Sequence, residues 1–558
     1  MKKNSRRIEW FIISSIALVM SVLNQLHVIL EWFANGPDRY FIGIAHYFAD
    51  YFLYVSQMAQ GARGSWMWAT HQFTNEPMPS TWIYWFNVTV GHLGSRIELS
   101  PFATYNVALF VLSFVLIILW YKISSLLFPT SASSRLLCFF LIVTATSFYN
   151  IPLFIQTKQL QLLGQFWFSP TTAFNRLGGV PHQIFQSILL LLLMIVYADS
   201  LSHIHSHAKK STLLRFSLIG ALAFITATAN PIQIIPLLLA FSITTALCII
   251  PTKPNRLLYL GLLIIIGFGG LTGALVTTSH FKTIPVLEAA RVWERMNEVP
   301  MTLLVFLSSV GPIILFIPFG ILQWIKKSSP LHRILFFYGS LSLIIYASPL
   351  PVALATQRLR WIHPVPYALL PLLASLGLVE ISGYTQRYVH ISKRFVYILL
   401  LLIYCILTIP SLVSEINTRI TPEKNPLILS RTEYNHVPLS TARGLYWLQQ
   451  QKGTLETGVV LTDPKYSIEI LVPVFTSKVS FTGHPIHTLY PEYKEELRNQ
   501  FFDGRMSPSE ASTFLQNHRI GYILAAPILQ NTTLFASYPF LHTVFVNDRM
   551  MIEQVQFE

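Results

Sequence analysis

The hydrophobic positions of this chain fall into long, nearly uninterrupted runs, and their recurrence predicts a bundle of membrane-spanning helices. A helical span needs about 20 predominantly apolar residues. Runs of that kind cover 10–30, 102–127, 134–153, 182–201, 213–229, 231–250, 257–278, 301–324, 332–349, 363–382 and 395–414, about eleven in all. The boundary at Asn230-Pro231 is read as a turn, because the apolar run around it is too long for one crossing. From about residue 416 the pattern changes. Apolar runs shorten to strand length at 458–463, 478–483 and 521–527, and helical patterns at 493–502 and 507–519 alternate with them. The second of these helices opens on a Ser-Pro-Ser-Glu start signal. The expected architecture is an α-helical polytopic membrane domain, 1–415, followed by a small α/β domain, 416–558. Residues 31–101 form a first external loop with interfacial helices.

Charge supports this layout. With the N-terminus in the cytoplasm, the loops 131–135, 202–215, 251–256, 326–333 and 382–394 face inward, and nearly all are short and basic, as the positive-inside bias requires. An odd number of spans then puts the C-terminal domain outside. Lys2, Lys3, Arg6 and Arg7 precede the first run as in a signal peptide. That run is too long for a signal core, and no clean small-residue cleavage site follows, so it reads as an uncleaved span.

Composition agrees: 53% of the 558 residues are hydrophobic and 11% are charged. The net charge of +14 is spread over membrane-flanking loops, which argues against a nucleic-acid partner. Cys138, Cys248 and Cys405 lie inside apolar runs and read as small core residues, with no disulfide framework.

Candidate chemistry begins at 36–64. Asp50 sits among aromatic residues, followed at helical spacing by Tyr54, Gln57 and Gly61 and preceded one turn earlier by His46. If the stretch is helical, these residues make one narrow polar face. Asp38 lies beside Arg39 in a Gly-Pro turn, where a local ion pair is the plain explanation. Glu288 and Glu294 are spaced to pair with Arg291 and Arg295 on a surface helix. His203, His205 and His207 alternate as in some zinc sites, but without a Cys or carboxylate partner they read as a solvated linker. Asn87-Val-Thr and Asn531-Thr-Thr match the glycosylation sequon by pattern alone. Asn230 and Gln233 line a cavity or pack a helix turn. In 154–181, Gln156, Lys158, Gln159, Gln161 and Gln165 suggest an interfacial helix leading to a Gly-Gly turn.

The strings HYFADYFLYVSQMAQGARG (46–64), NRLGGVPHQ (175–183), TQRLRWIHPVPYALLPLLA (356–374) and TGHPIHT (482–488), followed by FFDG and IGYIL, carry a resemblance. Together with the order of elements, they resemble the GT-C class of integral-membrane glycosyltransferases, which includes protein mannosyltransferases and oligosaccharyltransferases. The oligosaccharyltransferase WWD signature does not occur in this sequence. The resemblance implies transfer of a sugar from a polyprenyl-phosphate donor to an extracytoplasmic glycan, lipid or protein at the plasma membrane, in contact with membrane lipids. It also implies an acidic base in the first external loop: Asp50 by position, with Asp38 as second choice and His46 placed to orient Asp50. Tyr54 and Gln57 then face substrate. Arg176, Arg358 and Arg360 are the expected donor-phosphate contacts, since arginine's fork matches phosphate. Their plain reading is snorkelling to headgroups. His182 and His363 join them as substrate-binding candidates. No cofactor is assigned, and a divalent metal is left open.

Two other classes compete, a transporter or flippase for a lipid-linked glycan and a non-catalytic scaffold of the same architecture. Transporters carry ionisable groups near the bilayer midplane. Here acidic residues are almost absent from the span interiors, which favours an enzyme. The C-terminal domain has no GxGxxG, P-loop or nucleophile elbow, so its expected role is to hold the acceptor or close a loop.

Overall fold

A computed structural model describes residues 2–158, 162, 170–204, 209–250, 256–298, 303–325, 329–421, 434–451 and 458–557. Gln159, Gln161, Gln165, His205 and His207 lie outside the described residues. Eight described helices are long and apolar enough to cross a membrane: Arg6–Asn24, Pro101–Leu127, Pro181–His203, Pro231–Ile249, Arg256–Thr283, Pro330–Ala347, Pro366–Tyr388 and Lys393–Ile420. The pair Val305–Leu315 and Ile317–Trp324, bent by 69°, makes a ninth if counted as one span.

Every expected apolar run contains helix, but the count of about eleven spans is not reached among the described residues. The run 134–153 carries a shorter apolar helix, Ala132–Thr144, whereas 213–229 is helical throughout, within Lys209–Ala229. The run 134–153 is cut because the helix stops at Thr144 and a new one, Ile151–Thr157, starts under an Asn150 cap; the Asn150 side chain accepts from the Leu153 N–H. The break at Asn230-Pro231 falls where expected. Asn230 caps the next helix by accepting from the Gln233 N–H, and Pro231 takes the first helical position.

The chain divides into two compact units, one comprising 1–25, 109–279 and 294–420, the other 26–108, 280–293 and 421–558. In the first unit, Leu137, Leu141, Val310, Ile313, Tyr367, Ala374 and Tyr404 share a core. The bent pair fits against Pro366–Tyr388 because Gly320 and Gly377 bring backbones together; a Cβ on either would sit 1.8 Å from a carbonyl oxygen of the other helix. Arg135 and Glu9 form a buried two-pronged ion pair at 3.0 and 2.9 Å.

The second unit holds a five-stranded sheet, built from β3 (Val459–Thr462), β4 (Val479–Ser480), β5 (Ile520–Ala525), β6 (Leu541–Val546) and β7 (Met551–Val555) in the order β4-β3-β5-β7-β6. β4, β3 and β5 run parallel, whereas β5–β7 and β6–β7 are antiparallel. Helices Pro491–Phe502 and Pro508–Asn517 bury Phe501, Phe502, Phe514 and Leu515 in a core with Leu461, Phe481 and Ile523. The Ser507/Glu510 start signal forms a complete capping box. In the same unit, β1 (Arg39–Phe41) pairs antiparallel with β2 (His436–Pro438).

Candidate active site

Asp50 lies in the first turn of the helix Phe48–Ala62, where the positive end of the helix dipole favours a carboxylate. The chain entering that helix is clamped from several sides. Asn435 is fully buried and its side-chain oxygen accepts from the N–H groups of Gly43 and Ile44, both at 2.8 Å. Gly43 has φ +75°, a conformation other residues rarely adopt. His27 donates to the Ala45 carbonyl at 2.9 Å and Tyr51 to the Ile42 carbonyl at 3.0 Å. Tyr434 stacks on Phe48 and meets Phe52 edge-on. The carboxylate is therefore held by an over-determined backbone while its side chain stays 23% exposed.

The expected polar stripe is only partly a face of one helix. Tyr47 is the N-cap, so His46 precedes the helix and is not one turn along it. It bonds the Tyr105 hydroxyl, and its ring lies 6.1 Å from that of Tyr54. Gln57 is buried and accepts from the Asn87 side chain at 2.7 Å, which ties the helix to its neighbour Trp85–Ser95. Gly61 continues that contact: a Cβ there would lie 2.0 Å from the Val88 carbonyl oxygen. The lower half of the stripe is helix packing, and the polar upper half is Asp50 and Tyr54. Burial together with the negative charge of Asp50 holds the Tyr47 and Tyr84 hydroxyls above the ordinary phenol range.

The sequence reading did not foresee the Asp50 neighbour His484. Its ring is fully buried, and Nε2 stands 3.8 Å from Asp50 Oδ1. His484 opens the turn at 484–488 inside the TGHPIHT string, and this turn satisfies its own backbone. Nδ1 of His484 accepts from the N–H groups of Ile486 (3.1 Å) and His487 (3.2 Å). Thr488 Oγ1 accepts from Gly483 and His484, both at 3.1 Å, and donates to the Phe73 carbonyl at 3.0 Å. Pro485 between them has no N–H to satisfy. His487 packs edge-on against His484 and stacks on His71, which donates to the His487 carbonyl at 3.2 Å. Burial pushes the His71 imidazole down to about 4, and burial also holds His487 well below the ordinary range. Nearby, buried Lys494 bonds Thr74 (2.8 Å) and Glu76 (2.7 Å), fastening the 70–76 segment.

The remaining candidates divide by unit. Asp38, His46, Asp50, Tyr54 and Gln57 belong to the second, and Arg176, His182, Arg358, Arg360 and His363 to the first. Asp38 is exposed, 3.7 Å from Arg39. Arg176 is only 1% exposed and donates to the carbonyls of Ile142, Pro170 and Ala145, so its fork braces backbone. Arg358 donates to the Tyr346 and Ser348 carbonyls and pairs with Glu298 at 2.9 Å. Arg360 grips both oxygens of Glu294. Glu294 was expected to pair within its own helix; the planar two-pronged geometry of Arg360 outcompetes a local partner. Arg291–Glu288 does form, at 2.9 Å. Gln233 is buried, donates to the Arg360 carbonyl and accepts from Tyr338, so it packs a turn. His363 is buried and His182 lies in the first turn of Pro181–His203. Asn87 and Asn531 are both buried and hydrogen-bonded, which leaves neither sequon open. Among the described residues, no group of three or more His, Cys, Asp or Glu could hold a metal ion.

No family model matches the chain, and no curated protein matches it by sequence. Solved structures do. The apo oligosaccharyltransferase of Archaeoglobus fulgidus superposes with TM-score 0.50 at 12% identity, over 92% of this chain and 69% of that one. The arabinofuranosyltransferase AftD from Mycobacteria gives 0.51 at 12% identity, over 99% of this chain and 40% of that one. ArnT from Cupriavidus metallidurans, solved with undecaprenyl phosphate, gives 0.46 at 12% identity, over 97% of each chain. The chain shares the GT-C membrane fold with the first two.

Proposed function

We propose that this protein is a membrane glycosyltransferase that moves a sugar from a polyprenyl-phosphate donor to an extracytoplasmic acceptor with inversion, using Asp50 as general base. The carrying observation is the Asp50 carboxylate itself, fixed on a clamped helix start yet still open to solvent. The fold shared with an oligosaccharyltransferase and an arabinofuranosyltransferase supports the reaction class. So does the family resemblance of the 46–64 string.

In this reading Asp50 takes the proton of an acceptor hydroxyl as its oxygen bonds the anomeric carbon. The bond from that carbon to the phosphate oxygen breaks, and the phosphate leaves with the electron pair. A phosphate needs no protonated acid to depart, so one carboxylate is sufficient, unlike the two of a glycosidase. Tyr54, one turn after Asp50 on the same helix and with its ring 6.1 Å from that of His46, is read as a substrate contact.

The test is Asp50→Asn, assayed in membranes supplied with polyprenyl-phosphate sugar. Loss of a general base costs roughly 10²–10⁴-fold in rate. Transfer at the wild-type rate would remove Asp50 from this role. Movement of labelled lipid-linked sugar across vesicles without a new glycosidic bond would make the protein a transporter.

A further inference from the structure

We infer that His484 is a positioning residue for Asp50, presenting a fixed Nε2–H donor to the carboxylate. This rests on the reading of Asp50 as the base and adds to it a residue from the opposite end of the sequence.

The tautomer follows from the backbone. A main-chain N–H can only donate, and two of them converge on Nδ1, from Ile486 and His487. Nδ1 must therefore carry its lone pair, and in the neutral ring the proton sits on Nε2. That nitrogen is buried and has no hydrogen-bond partner among the described residues. A buried donor left unmade costs about 1–3 kcal/mol, so a fold that keeps one needs a reason. The atom it faces is Asp50 Oδ1, at 3.8 Å.

That distance is about 1 Å beyond a hydrogen bond. Catalytic contacts of this kind are often long in the free enzyme and tighten with substrate bound. Once closed, the N–H stabilises the charged carboxylate and fixes which oxygen takes the acceptor proton. The titratable groups around the pair are Tyr47, Tyr84 and Tyr105, which feel the charge of Asp50, and His487 and His71, which pack beside His484. Burial holds both histidines neutral, and of the three rings it is His484 whose Nε2 stands against the carboxylate, at 3.8 Å.

Two substitutions separate positioning from turn-building. His484→Asn keeps an acceptor near Nδ1 for the two backbone N–H groups and removes the donor toward Asp50. His484→Gln keeps a donor near Nε2 and loses the acceptor. Positioning predicts that His484→Asn lowers kcat about tenfold and moves the acid limb of the pH–rate profile up by about one pH unit, while thermal stability holds. His484→Gln should leave the limb in place, even if its melting temperature falls. The reverse ranking, with Asn wild-type in rate and pH profile and Gln impaired, makes His484 a structural turn residue and overturns the inference. Asp50→Asn is run beside them: if it stays active the base assignment itself fails, whereas an inactive Asp50→Asn with an unmoved His484→Asn profile defeats the positioning role alone.

Discussion

At the residue scale, the site depends on which side chains the backbone has already claimed. Gln57, Asn87 and Arg176 carry polar groups that a sequence offers to any ligand, and each is engaged inside the fold. Asp50 is held just as firmly through its backbone, while its side chain stays 23% exposed. The histidines packed beside His484 make stability depend on pH. His71, pushed to about 4, and His487, held well below the usual range, stay neutral in the folded chain. Unfolded imidazoles take up protons below about pH 6.5. Because the unfolded state then binds more protons, stability is greatest above that value and is lost as pH falls toward about 4. The thermal midpoint of detergent-solubilised protein should accordingly drop between about pH 7 and about pH 5. His71→Gln should flatten the drop; an unchanged slope would mean that His71 is already protonated when folded.

At the scale of elements, the Asp50 helix is fixed by the helix after it. Gly61 faces the Val88 carbonyl and Gly91 faces the Met58 carbonyl, and a Cβ at either position would approach an oxygen to 2.0 Å. The obstacle is backbone, which cannot rotate away. Gly61→Ala and Gly91→Ala should each destabilise the protein by about 1–3 kcal/mol. Both should reduce transfer by displacing Asp50, read as a lower melting temperature with a reduced rate. Gly64→Ala is the control for nearby substitution: no atom lies within 4 Å of its Cβ position, although its φ of +108° carries strain of its own. Equal melting temperatures for Gly61→Ala and wild type would show that the helices can separate without cost. The helix start was legible in outline, because aromatic residues and Asp50 at helical spacing predicted it. The position of His46 was not, because Tyr47 caps the helix one residue too late to include it.

At the scale of the whole molecule, the two compact units are assembled from segments far apart in sequence, with 26–108 and 421–558 in one of them. The proposed orientation places the C-terminal sheet outside the cell. Leu529 is 82% exposed, while Cys138 is buried and Cys248 and Cys405 lie in apolar helices. Leu529→Cys should react with a membrane-impermeant maleimide in intact spheroplasts. Reaction only after lysis would reverse the orientation.

The sequence by itself determined what local patterning can encode. Apolar runs became helices, the Asn230-Pro231 break and the Ser507/Glu510 box formed at their own residues, and the strand-length runs became β3, β4 and β5. These features depend on side-chain periodicity and on neighbours a few residues away. Tertiary structure decided the rest. It cut the expected span 134–153 at Thr144, closed Arg360 on Glu294, and spent Arg176 on backbone carbonyls. It also brought His484 to Asp50, more than four hundred residues away in the chain. No periodicity reports such a contact, because it is set by the summed packing of a whole unit. The string TGHPIHT was distinctive in the sequence, but only the fold gave its first histidine a carboxylate to face.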